Sequence, residues 1–272
     1  MDYLANLGAA LMIDALPEHL DWLSEAKRDL EIQDFFQFDL LDGDWQTPAK
    51  RAKELLKDYP GRIGMHGPFW GLNLANPDPR LRQAVSERLE QGLEVAELLG
   101  ATHMVIHSPI DAWQHRHIVN NAVQRAATIE LIQKTLARPL ERAKAIGCTL
   151  VMEDIMDLDP RLQLDLIKAM DSEAMRMSVD VGHAFCMHIQ HDAPPPDQFI
   201  AEAGDYLEHV HLQDTDGYLD RHWPLGTGKI QWNALLEELA KLEHRPRLII
   251  ELKDKSAVQS SVAWLKSLSQ NP

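Results

Sequence analysis

The chain has 272 residues, 45% of them apolar and 25% charged. Those are ordinary proportions for a folded globular protein, and they exclude disorder or low complexity over most of its length. Lys and Arg number 27 against 42 Asp and Glu, a net charge of −15, so the basic face needed to bind nucleic acid or an anionic membrane is not expected. The two cysteines, Cys148 and Cys186, cannot form a multi-bridge framework or a CxxC site. The N-terminus lacks a basic leader region, the first lysine being Lys27, and the early apolar run Leu7–Ile13 is too short to span a bilayer. A cytoplasmic protein with reduced thiols and no membrane association is the expectation.

Short apolar or β-branched runs alternate along the chain with longer helical stretches. Strands are predicted over Leu7–Ile13 and Ile32–Phe38, with a helix over Pro17–Asp29 between them and another over Pro48–Lys57. A strand over Arg62–His66 precedes a helix over Pro79–Leu99, where Leu81, Val85, Leu89 and Leu93 recur every fourth residue as one buried face. Thr102–His107, Thr149–Glu153, Met175–Asp180, Leu207–Leu212 and Arg247–Glu251 are further strands, with helices over Ile118–Ala145 and Trp232–Leu242. Gly100 and Gly147 are placed to end their helices, and Pro48 and Pro79 to begin theirs. About eight strand–helix units in a chain of this length predict a single-domain (β/α)8 TIM barrel covering residues 1–272. A doubly wound sheet is disfavoured, because no glycine-rich phosphate fingerprint follows the first strand.

In such a barrel the active site lies at the C-terminal ends of the strands. Here successive strand ends carry His66, His107, Glu153 and Asp180, the last followed by His183. The seventh strand carries His211, its loop carries Asp220 and His222, and the eighth strand ends at Glu251. Singly, each has an ordinary structural role, such as a capping aspartate or a core histidine. Together, five histidines and four carboxylates on one mouth are more than a single structural ion needs and suit two or three divalent ions with N/O ligation, such as Zn²⁺ or Mn²⁺. Carboxylates gathered without cations would repel one another. Trp45, Phe69, Trp70 and Trp223 fall in loops on the same face, where they either wall the substrate or pack. Tyr218, Arg221 and Lys253 are polar candidates for substrate contact.

From His66 to Glu251 the chain resembles the xylose-isomerase-like TIM-barrel superfamily of sugar phosphate isomerases and epimerases, inosose-type dehydratases and endonuclease IV-type enzymes. The segments that carry the resemblance are His66-Gly67-Pro68-Phe69 with Asn73-Leu74, Asp180-Val181-Gly182-His183, and His211-Leu212-Gln213-Asp214-Thr215-Asp216-Gly217. Asp220-Arg221-His222 and Pro224-Leu225-Gly226-Thr227-Gly228-Lys229-Ile230 continue it. For epimerase-type members the resemblance implies one ion on Glu153, Asp180, His211 and Glu251, the two glutamates also moving protons. For endonuclease IV-type members it implies three zinc ions on all nine positions, His66, His107, Glu153, Asp180, His183, His211, Asp220, His222 and Glu251.

The expectation ranked first is a metal-dependent isomerase or epimerase of a sugar or sugar phosphate, working through an enediolate with Glu153 and Glu251 as acid and base. His183, Arg221, Trp70 and Lys253 would contact the substrate, and a homo-oligomer is allowed for. The alternative is a trinuclear phosphoesterase or AP endonuclease of the endonuclease IV type. Duplex DNA is disfavoured as its partner by the charge of −15 and by the acidic segments 14–16 and 39–46, which lack Arg and Lys. A non-catalytic metal-binding barrel ranks third.

Overall fold

The computed structural model describes residues 4–270. Eight parallel strands close into a barrel in chain order, β8 pairing back onto β1. They are β1 (Gly8–Leu11), β2 (Leu30–Ile32), β3 (Ile63–His66), β4 (His103–His107), β5 (Thr149–Glu153), β6 (Met175–Asp180), β7 (Leu207–Leu212) and β8 (Arg247–Ile250). The helices are α1 (Leu16–Glu25), α2 (Phe38–Asp42), α3 (Gln46–Leu55), α4 (Pro79–Leu99), α5 (Ala112–Ile118) and α6 (Ala122–Ile146), followed by α7 (Pro160–Ala169), α8 (Val181–His191), α9 (Pro196–Ala203), α10 (Trp232–Lys241) and α11 (Val258–Gln270). Among the described residues no helix is long and apolar enough to cross a membrane, and both cysteines are buried free thiols.

The helices start and stop where local chemistry dictates. Asp78 caps α4 by accepting from Arg80 N, Pro79 follows at a position that needs no donor, and Gly100 takes the left-handed conformation at φ 71°. Asn121 and Gly147 do the same for α6. Strand residues alternate between the barrel interior and the helices. In β7, Val210 and Leu212 join the apolar core. His209 and His211 hydrogen-bond within the barrel.

Two sequence expectations are corrected. The second strand is not Ile32–Phe38 but Leu30–Ile32, and Asp34–Phe36 is a turn of 3-10 helix. Phe35 enters the core from that turn, and the Asp34 carboxylate accepts from Ile13 N at 2.8 Å. The helix expected over Ile118–Ala145 begins later, as α6 at Ala122, and a separate helix, α5 (Ala112–Ile118), precedes it. Asp111 begins α5 with a reciprocal capping box shared with Gln114, and Asn121 caps α6 afresh.

Strand register then turns the ligands inward. His107 pairs with Glu153, and Asp180 pairs with His211. Paired residues in a parallel sheet project on the same face, so each pair turns toward the mouth together, Asp180 standing two residues beyond Ser178, the partner of Glu153. β6 runs directly into α8. Asp180 ends the strand and caps the helix, its Oδ1 accepting from Gly182 N and His183 N at 2.7 and 2.8 Å. That cap fixes His183 beside the end of the strand.

Candidate metal centre

The nine strand-end residues gather into three groups whose potential ligand atoms lie within 4.8 Å of one another. The first is His66, His107 and Glu153, with the two Nε2 atoms 3.7 and 3.3 Å from Glu153 Oε2. The second is Glu153, Asp180, His211 and Glu251. His211 Nδ1 lies 2.5 Å from Glu153 Oε1, 3.4 Å from Glu251 Oε2 and 3.9 Å from Asp180 Oδ2. In the third, Asp220 Oδ2 is 2.8 Å from His222 Nε2 and 3.6 Å from His183 Nε2. Glu153 belongs to the first two groups, one carboxylate oxygen facing each.

Backbone carbonyls set the histidine tautomers. His66 donates from Nδ1 to Gly67 O at 2.9 Å, His183 to Asp154 O at 2.9 Å, and His222 to Glu251 O at 3.1 Å. Each ring therefore turns Nε2 toward the carboxylates. His222 adopts φ 50°, a left-handed conformation that costs a non-glycine residue on the order of 1 kcal/mol. Its N–H donates to Gln213 Oε1 at 2.7 Å, and its carbonyl accepts from Lys253 N at 3.1 Å. Those bonds hold the strained residue in place.

The β7–α10 loop is pinned from below by Asp214, which is 1% exposed. Its carboxylate accepts from Thr215 N, Gly226 N and Trp232 Nε1 at 2.9, 2.8 and 3.0 Å. The backbones of Asp214 and Trp223 exchange two hydrogen bonds at 3.0 Å. This clasp folds the loop back so that Asp220 and His222 return to the mouth.

Several residues at the site were not anticipated. Glu31 on β2 is buried beneath the mouth, where His211 Nε2 donates to it at 3.1 Å and His209 Nε2 lies 3.0 Å away. Glu31 thus fixes His211 with Nδ1 facing the second group. The misplacement of β2 hid it, although a lone acid between Leu30 and Ile32 is itself a signal. His209 lies two residues before His211, the spacing of one strand face. Gln33 donates to Glu251 and accepts from Lys255 Nζ at 2.9 Å.

A cavity of about 640 Å³ opens over the three groups. His66, His107, Glu153, His183, Asp220, His222 and Glu251 line it, as do Trp70 and Lys253. Asp180 and His211 lie in its floor, fully buried. Arg221 does not line it. Its guanidinium pairs with Asp216 at 3.0 Å and lies over the Trp223 ring at 5.2 Å, so the structure gives Arg221 a role within its own loop rather than at the substrate. Tyr218 also lies outside the lining, and Trp45 packs on the core.

The donor set fits divalent cations. Glu153 Oε2 is buried and has no hydrogen-bond partner among the described residues, although two imidazoles flank it. An unsatisfied buried carboxylate oxygen is costly, and a cation is the partner that the surrounding His and carboxylate donors would hold. The titration pattern agrees. Burial pushes Asp180 up. Burial works against ionised Glu153 as well, yet His211, His107 and His66 hold it well below the usual range. Burial also opposes charge on His222, but Asp220 and Glu251 raise it to about 9.

An ion-free centre therefore favours the protonated form of His66, His183, His211 and His222, whereas burial pushes His107 down. The His222 contribution to ion-free stability is complete below its unfolded value near 6.5 and is lost as pH rises through about 9. Ion binding has the opposite dependence, because a ligating nitrogen must shed its proton. Zinc uptake at pH 7.5 should release protons, and affinity should climb toward pH 9. Calorimetry in two buffers of different ionisation enthalpy measures the release; identical heats in both would refute it.

A family model described as xylose isomerase-like TIM barrel matches residues 29–268. The chain belongs to that family. Among relatives of this xylose isomerase-like barrel, an uncharacterised protein of Methanocaldococcus jannaschii is 27% identical over 225 residues, covering 78% of this chain and 71% of its own length. A probable endonuclease 4 of Symbiobacterium thermophilum is 29% identical over 243 residues, covering 82% and 83%. A Thermus thermophilus protein, from crystals soaked with ZnCl2, superposes with a TM-score of 0.74 at 26% identity, covering 98% of this chain and 99% of that one. A D-tagatose 3-epimerase-like protein superposes with a TM-score of 0.77 at 23% identity over 97% of both chains, a likeness of fold.

Proposed function

We propose that this barrel is a metal-dependent hydrolase of small phosphate esters, built on a three-ion centre. The observation that supports it is the position of Glu153. Both of its oxygens face histidine groups, one toward His211 and the other toward His66 and His107. A carboxylate committed in this way is poorly placed to shuttle a proton on a sugar, which reverses the ranking drawn from sequence. His66, His107 and Glu153 would hold one ion, Glu153, Asp180, His211 and Glu251 a second, and His183, Asp220 and His222 a third.

Divalent ions there would supply Lewis-acid stabilisation of charge on the phosphoryl group and make water more acidic. The chain's own residues do the rest. Glu31 and the backbone carbonyls hold the rings in their ligating tautomers. Lys253 and Lys255 at the rim supply positive charge to an anionic substrate, which the net charge of −15 would otherwise repel. The Phe69 ring, stacked on His107, covers one wall of the centre. In the reaction, water oxygen bonds to phosphorus, the ester P–O bond breaks, and a proton passes to the departing alcohol.

A second reading, a one-ion isomerase or epimerase of a sugar or sugar phosphate, is favoured by the four-membered group. That group alone would complete one site, with Glu153 and Glu251 flanking the substrate. A screen of phosphomonoesters, phosphodiesters, sugars and sugar phosphates with Zn²⁺ and Mn²⁺ added back separates the two. Release of phosphate or alcohol is expected. Aldose–ketose conversion or epimerisation without phosphate release would overturn the first reading.

A further inference from the structure

The metal centre does not use the upper wall of the cavity. Above His107, three aromatic rings cluster toward solvent. Phe69 stacks on His107 with centroids 4.2 Å apart and planes 21° apart. Phe36 stacks on Phe69 at 5.2 Å, and Trp70 lies against the same Phe69 ring at 4.9 Å, tilted by 38°. Trp70 is 60% exposed at the rim. An indole left open there, backed by a second ring, lies at a height where a flat ligand group could cover it.

The cationic part of the rim comes from the loop after β8, where Lys253 and Lys255 line the same cavity. The Lys255 amino group is held by Gln33, itself in contact with Glu251. Gln33 and Phe36 both follow β2, so the cationic and aromatic walls adjoin around the mouth. A ligand seated there meets positive charge and the centre's oxygen and nitrogen donors at one end and stacked rings at the other. A sugar phosphate would satisfy only the first. The cavity of about 640 Å³ has room for both parts of a larger molecule.

We propose, resting on the phosphoesterase reading, that the substrate is a phosphate ester whose alcohol carries a planar ring, as a nucleotide does, with the ring stacked on Trp70 and the phosphate between Lys255 and the metal centre. Base–aromatic stacking of this kind changes affinity by roughly tenfold when the aromatic residue is truncated.

The test compares the methylene-phosphonate analogues of adenosine 5′-monophosphate and ribose 5-phosphate, whose P–C bond resists hydrolysis and which differ by the base. Calorimetric titration of the zinc-loaded protein should show the nucleotide binding about tenfold more tightly. Trp70→Ala should erase that preference, and Trp70→Phe, which keeps a ring, should retain most of it. Lys255→Met should weaken both ligands together, because it removes a phosphate contact and leaves the aromatic wall. Equal affinity for the two ligands, or a preference that survives in Trp70→Ala, would overturn the inference. Binding is read here without turnover, so it fails separately from the hydrolase reading, which fails if no ester in the screen is cleaved. Trp70 is exposed, so its replacement leaves the core intact.

Discussion

Glu153→Ala should abolish turnover, by roughly a thousandfold or more, and should also change the number of bound ions. The variant strips an oxygen from two groups at once. His66 and His107 are left as a pair, too few to retain an ion, and the Asp180, His211 and Glu251 group loses one of its four members. The His183, Asp220 and His222 group does not include Glu153 and should keep its ion. A one-ion isomerase gives a different result for the same variant: activity is lost, while the single ion persists on Asp180, His211 and Glu251. Activity and elemental analysis measured side by side distinguish the two. Loss of turnover with unchanged ion content would refute the bridging role assigned to Glu153.

Asp214→Ala should be the most destabilising change in the β7–α10 loop. It leaves the buried Thr215 N–H and Trp232 indole N–H, and the part-buried Gly226 N–H, without their acceptor. Each unsatisfied buried donor costs about 1–3 kcal/mol, and partial relaxation brings the total to about 3–5 kcal/mol. For a chain of this size that lowers Tm by roughly 10 °C. Asp214→Asn keeps one acceptor oxygen and should fall in between. The ion at His183, Asp220 and His222 should weaken as well, because the loop carrying two of its ligands loses its clasp. Thermal denaturation with and without zinc checks both effects; a shift under about 2 °C in the ion-free protein would show that the clasp is not what holds the loop.

The barrel and its ligands are legible in the sequence for a common reason. Four strands end in His, Asp or Glu, β7 carries His211 one residue before its end and Glu251 directly follows β8, and a polar residue at that point has nowhere to project but the mouth. His183, Asp220 and His222 are legible through the segments around them, and the clasp at Asp214 explains why that long segment has its composition. Glu31 and His209 are harder to read. They lie inside the barrel below the ligands, where apolar filling is the usual expectation, and Glu31 also sits in a strand that the pattern displaces toward Phe35 and Phe36. Phe35 is apolar because a 3-10 turn delivers it to the core, a placement that alternation cannot reveal. Arg221 is drawn toward the site by its neighbours Asp220 and His222, but Asp216 is near enough on its own loop to pair with it.

The ion count of the intact protein tests the three-ion centre most directly. Protein stripped with a chelator, reloaded with Zn²⁺ near pH 8 and freed of excess metal should carry about three ions per chain by elemental analysis, one for each group that meets at the mouth. A plateau at one ion per chain would contradict the centre and return the site to the single-ion isomerase.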